Sequence, residues 1–229
     1  MRIDKSPNGE FRYGELAVGD QDEAEYGIMP SQTVGPYVHI GLIREGSEIV
    51  ADGEDAVEIT VTTIDGDGNP IADSMIEFWQ PNEQGVFNSD LDPRREQPAT
   101  AEGFRGLGRA FADETGTSTL KTIIPGQLDT IEGFVPAQQV EAPHIKVGVF
   151  ARGMLERLYT RLYFPEFEEA NAQDPVLQLV DEQRRSLLIA EKTDKGYHFD
   201  IYVQHTDPEK ETPFFDIVAD SEAGEAAGN

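Results

Sequence analysis

At 229 residues, with 38% hydrophobic side chains and no cysteine, the chain can build a core without disulfide staples, thiolate metal sites or cysteine nucleophiles. Its 44 Asp+Glu against 18 Lys+Arg leave a formal charge of −26, the wrong sign for nucleic-acid binding and suited to an acidic, solvated surface whose self-repulsion high salt would screen. The first residues carry no apolar signal-peptide core, and no long uncharged apolar run follows, so the expectation is a cytoplasmic protein without a membrane span.

Residues 1–29 are acidic and aperiodic and read as an N-terminal arm, while the small acidic residues 219–229 read as a disordered tail. Between them, residues 30–218 read as one domain. Pro30 to Tyr37 packs turn formers and hydroxyls into a loop that leads into Val38–Leu42, expected as a first strand. Val57–Ile64 alternates apolar and polar with period two and stops at Asp65-Gly66-Asp67-Gly68-Asn69-Pro70, a turn suited to a hairpin with Met75–Gln80. Further strands are expected at 118–124, 144–150, 158–164, 198–204 and 214–218. One helical region is expected from about Glu166 to Leu188, with Asp174 as cap and Pro175 at the first helical position. Together these describe an all-β protein: an antiparallel β-sandwich core with one short helical region and long loops.

Most chemical motifs fall away on inspection. Asp65-x-Asp67-x-Asn69 opens like a calcium loop, but Pro70 stands where glycine is needed and Ile76 where the bidentate glutamate belongs, so a plain turn is the better reading. The chain has no nucleophile elbow, phosphate loop or dinucleotide fingerprint. None of His39, His144, His198 and His205 is spaced from another as a compact metal site requires. His144 shares a strand face with Lys146, a cation where a second ligand would stand, and taken alone it is a structural histidine. Arg152, at the turn ending its strand, is as suited to a carboxylate as to a ligand.

Several segments carry more together than singly. Ser31-Gln-Thr-Val-Gly-Pro-Tyr-Val-His-Ile-Gly-Leu42, Asp65–Pro70 with Ile76–Gln80, Ala142–Ile145, Phe150–Gly153, Thr160–Phe164 and Phe214–Ile217, in this order, resemble the intradiol aromatic-ring dioxygenases. That resemblance implies a β-sandwich and, in the two-subunit members, αβ protomers whose Fe(III) sits on the β subunit. Two tyrosinates and a His-x-His pair hold the metal there, hard donors suited to ferric iron. At the matching positions this chain has Phe87, Gln127-Leu128 and His144-Ile145-Lys146, and Glu141 where an arginine is expected. Three of the four ligands are lost, at Phe87, Leu128 and Lys146, and His144 is left over. The resemblance thus implies a non-metal subunit that binds no iron, pairs with a β subunit, and lends Thr33, Gly35, Pro36, Tyr37 and Arg152 to a small aromatic substrate's pocket across the interface. Tyr37 could equally pack in the core, and Arg152 could be a plain ion pair. The rival readings are a non-catalytic transthyretin-like binding sandwich and a self-sufficient dioxygenase with Tyr159, Tyr163 and His144 as ligands.

Overall fold

A computed structural model describes residues 2–3, 32–90, 92, 103–129 and 140–216. In chain order the elements are β1 (Arg2–Ile3), α1 (Tyr37–Leu42), β2 (Val57–Ile64), β3 (Met75–Trp79), β4 (Leu107–Phe111), β5 (Thr117–Thr122), β6 (His144–Phe150), β7 (Leu158–Tyr163), α2 (Glu168–Gln173), β8 (Glu191–Thr193), β9 (Gly196–Tyr202) and β10 (Phe215–Asp216). Two four-stranded sheets run in the orders β5-β2-β9-β8 and β4-β3-β6-β7, and β1 pairs with β10. Among the described residues, every pairing between these strands is antiparallel except β2 with β9, which is parallel.

The period-two alternation of the strands builds the core directly. Ile59 and Val61 of β2, Leu120 of β5 and Phe199 and Ile201 of β9 point inward from one sheet. Ile76 and Phe78 of β3, Ala110 of β4 and Ile145, Val147 and Val149 of β6 meet them from the other. Such fully buried aliphatic and aromatic side chains each contribute about 1.5–3 kcal/mol.

Three expectations need correction, and one strand was not expected. The turn at 65–70 forms, with Asp65 Oδ1 accepting the Asp67 and Asn69 amides at 2.9 and 2.8 Å. It does not close a hairpin, because β3 crosses to the opposite sheet after the short bridge of Ile64 to Pro70. Val38–Leu42 is not a strand: Gly35 turns at φ +58°, Pro36 sets the first helical dihedral, and His39 and Ile40 donate back to the Pro36 carbonyl.

Residues 166–188 are not one helix. They divide into 3₁₀ turns at Pro165–Phe167, Leu177–Leu179 and Glu182–Leu188, with α2 between the first two. Asp174 precedes a proline and is held extended at ψ 122°, which ends α2. Its side chain caps the following turn as expected. Finally, β4 was not anticipated, because Gly108 breaks its pattern; a Cβ there would come 2.5 Å from Val50 Cγ2, so glycine lets the segment 47–50 lie against the strand. Apart from Arg2–Ile3, the expected arm lies outside the described residues, as does the whole expected tail.

Candidate functional site

Two separate constellations emerge, at opposite ends of β6. The first gathers the residues expected to line a pocket. The Gly153 amide donates to Thr33 Oγ1 at 2.8 Å, tying the loop of Thr33, Gly35 and Pro36 to the Arg152 turn. Gly153, at φ +87°, and Gly35 supply the left-handed turns that bring these segments together. Arg152 Nε donates to Asp73 Oδ2 at 2.6 Å with its side chain 59% exposed. Tyr37 is 76% exposed, so it packs in no core of this chain; α1 leans on the sandwich instead through His39, 5.3 Å from the Phe111 ring.

The second constellation reunites the four positions matched to metal ligands. The loops before Phe87 and Leu128 touch: a Cβ on Gly85, at φ +76°, would lie 2.0 Å from the Gln127 carbonyl oxygen. The Gly126 amide also donates to the Asn82 carbonyl at 2.8 Å. Phe87 stacks on Trp79 at 5.4 Å and an interplanar angle of 9°, and Lys146 Nζ lies 4.9 Å from the Phe87 ring centroid. Leu128 exchanges both backbone hydrogen bonds with Glu141. The Glu141 carboxylate then lies 3.6 Å from His144 Nε2 and accepts from Arg161 Nη1 at 2.7 Å.

What fills this place is a buried polar network. Arg161 also donates to Tyr163 Oη at 3.3 Å, and Tyr163 donates to Asp174 Oδ1 at 3.0 Å. Burial opposes the Arg161 charge, but Tyr163 and Glu141 more than offset it, and the guanidinium stays protonated. Burial pushes the Tyr163 hydroxyl well above the usual tyrosine range. The network was not anticipated, although the Thr160–Phe164 alternation already put Arg161 and Tyr163 on the face of β7 that meets His144.

His144 is 1% exposed, and its Nδ1 contacts the Ala142 carbonyl at 2.8 Å. Burial, then the Arg161 and Lys146 charges, hold its pKa well below 6.5. The ring is therefore neutral near pH 7, so its approach to Glu141 is not an ion pair. Because the folded pKa is depressed, the unfolded chain takes up a proton first as pH falls. Stability is thus intact above pH 6.5 and declines below it toward the folded value, at up to about 1.4 kcal/mol per pH unit for one proton. Urea unfolding between pH 7 and 5 should show a shallower decline in His144→Gln; equal slopes would remove His144 as the source.

Chemically, this place does not suit ferric iron. Phe87 and Leu128 carry no donor, Lys146 is cationic, and a single imidazole remains. Among the described residues, no group of three or more His, Asp or Glu is arranged to hold a metal, and no helix is long and apolar enough to cross a membrane.

The family described as Dioxygenase matches residues 35–205. With the sandwich and the two constellations at the ends of β6, this places the chain: it belongs to the intradiol ring-cleavage dioxygenases. It is 38% identical over 208 residues to the protocatechuate 3,4-dioxygenase alpha chain of Pseudomonas putida, covering 82% of this chain and 96% of that one. It is 36% identical to the alpha chain of Burkholderia cepacia, at the same coverages, and 29% identical to that organism's beta chain, covering 82% and 79%.

Proposed function

We propose that this chain is the non-iron-binding alpha subunit of a cytoplasmic protocatechuate 3,4-dioxygenase, formed by residues 30–218 as one domain. Its partner, the protocatechuate 3,4-dioxygenase beta subunit, carries the Fe(III). The assembled enzyme uses O₂ to open protocatechuate between its two hydroxyl-bearing carbons, giving 3-carboxy-cis,cis-muconate. The likeness to alpha chains over 82% of the sequence supports the assignment.

One observation carries the division of labour. His144 opens β6 and Arg152 lies just past its end, so the expected pocket residues stand about 20 Å along the strand from the lost ligand positions, at ~3.3 Å per residue. Thr33, Gly35, Pro36, Tyr37 and Arg152 therefore cannot serve a centre at His144 of their own chain. They are exposed or at the surface, where a partner's centre can use them. Thr33 holds the turn, Gly35 and Pro36 set the loop's direction, and Tyr37 and Arg152 present a phenol and a guanidinium to an aromatic acid. In a chain of net charge −26, such a cation at the pocket rim supplies locally what the overall field denies a carboxylate substrate.

Purified without its partner, the chain should hold far less than one iron per chain and lack the visible tyrosinate-to-iron absorption. Co-expressed with the beta subunit, the complex should hold one iron per αβ pair. Stoichiometric iron on this chain alone would falsify the assignment.

A further inference from the structure

The short helix α1 turns its two sides to different surroundings. Successive helical residues stand about 100° apart, so Tyr37 and His39 lie about 200° apart around the axis. His39 faces the sandwich, its ring 5.3 Å from the Phe111 ring and tilted at 58°, a separation at which ring pairs attract. Tyr37 therefore faces out, and Ile40, three residues further on the same side, is as exposed as Tyr37. Six residues are too few for a helix to hold itself, and Pro36 offers no side-chain cap. The direction of α1 is set by what it touches.

Phe111 stands at the end of the sheet where the expected pocket residues gather. It pairs with Met75, which pairs on its other side with Phe150. The Phe111 and Phe150 backbones are therefore two strand spacings apart, about 9.5 Å. Arg152 follows Phe150 by two residues and Asp73 precedes Met75 by two, and these form the ion pair described above. The segment 33–39 is thus fastened at two points on one edge of the molecule. Thr33 Oγ1 accepts the Gly153 amide beside Arg152, and the His39 ring meets Phe111. Tyr37 lies between the two ties.

We infer that His39 is a positioning residue for the reaction: its contact with Phe111 fixes the rotation of α1 and so aims the Tyr37 phenol at substrate in the partner's pocket. This rests on the pocket role proposed for Tyr37. A rotation of α1 is magnified at the end of the long Tyr37 side chain, and misplacement by about 1 Å can cost up to ~100-fold in rate. His39 itself touches no substrate.

The test is a double-mutant cycle in the assembled enzyme: His39→Ala, Tyr37→Ala and the pair together. Each is read by steady-state kinetics and by anaerobic titration with protocatechuate, which measures binding without turnover. His39→Ala should raise KM and the anaerobic Kd by about three- to tenfold, the worth of one ring contact, and leave kcat within about twofold. Added to Tyr37→Ala, the same substitution should cost less than about twofold, because the phenol it aims is gone. His39→Phe, which keeps a ring on Phe111, should restore binding, and Phe111→Leu should reproduce the loss. Where His39→Ala does not assemble, His39→Leu, which keeps bulk without the ring, carries the same comparison.

Losses that add in the cycle overturn the positioning role. So does a normal Kd in an assembled His39→Ala enzyme whose Tyr37→Ala counterpart is impaired, even where the melting temperature falls. Failure of both His39 variants to assemble also overturns it, and makes His39 a residue of the fold alone. In these cases the proposed pocket and the subunit assignment stand. A normal Kd in Tyr37→Ala removes Tyr37 from the pocket and the role of His39 with it.

Discussion

Asp174→Ala is expected to lower the unfolding free energy by on the order of 3–5 kcal/mol, the largest stability effect of any single polar substitution considered. Asp174 is fully buried and accepts four hydrogen bonds. The Ala142 amide reaches Oδ2 at 2.8 Å, and Oδ1 takes the Val176 and Leu177 amides at 2.9 and 2.8 Å and the Tyr163 hydroxyl at 3.0 Å. One carboxylate thus joins the segment entering β6, the end of β7 and the 3₁₀ turn that covers them. Removing it leaves three backbone amides without acceptors in a site closed to water, at about 1–3 kcal/mol for each unsatisfied group, less whatever relaxation recovers. It also leaves the Tyr163 hydroxyl, which accepts from Arg161, without the acceptor for its own proton. Asp174→Asn should fall between the two, because its amide keeps one acceptor but turns a donor toward another donor. Urea denaturation of the three proteins reads the order. A loss below about 1 kcal/mol in Asp174→Ala would show that the buried network is not what holds this end of the sandwich.

The sandwich was legible wherever one face of a strand is buried. Val57–Ile64 falls where alternation placed it, because a shift of one residue would turn its apolar set to solvent, and His144–Phe150 is the strand expected there. The hairpin failed for the opposite reason. A local turn signal at 65–70 says that the chain reverses, not which sheet receives it, and here β3 joins β6 while β2 joins β9. Val38–Leu42 failed because its apolar residues do not share one buried face as a strand's would: Val38 is buried, but Ile40, which a strand would turn to the same side, is 74% exposed.

The candidate site divides the same way. That Phe87, Leu128 and Lys146 offer no metal donor is visible in the sequence itself. The buried polar network there could not be read from it, because Glu141, Arg161, Tyr163 and Asp174 meet only through strand register and a turn.

Arg152→Ala in the assembled enzyme is expected to lower kcat/KM by about 10- to 100-fold, since one charge-assisted hydrogen bond to substrate is worth roughly 1.5–3 kcal/mol and each ~1.4 kcal/mol is a factor of ten. The structure sharpens the competing explanation. Arg152 already donates to Asp73 at 2.6 Å, with the two side chains 59% and 30% exposed. An ion pair that open contributes about 0–1 kcal/mol after screening, so breaking it should scarcely move the melting temperature. Asp73→Ala then separates the two roles. It breaks the same pair but leaves the guanidinium in place, free to turn toward the partner's pocket. If Arg152 acts on substrate, Asp73→Ala should keep kcat/KM within about threefold while Arg152→Ala does not. Arg152→Lys should recover only part of the loss, because an ammonium lacks the planar fork that meets a carboxylate with two parallel bonds. Iron content and assembly should be unchanged in all three variants, since no ligand is touched. Equal losses in Asp73→Ala and Arg152→Ala would reduce Arg152 to a brace for the turn at Gly153, where the amide meets Thr33. Unchanged kcat/KM in a fully assembled Arg152→Ala enzyme would remove this chain from catalysis at that residue.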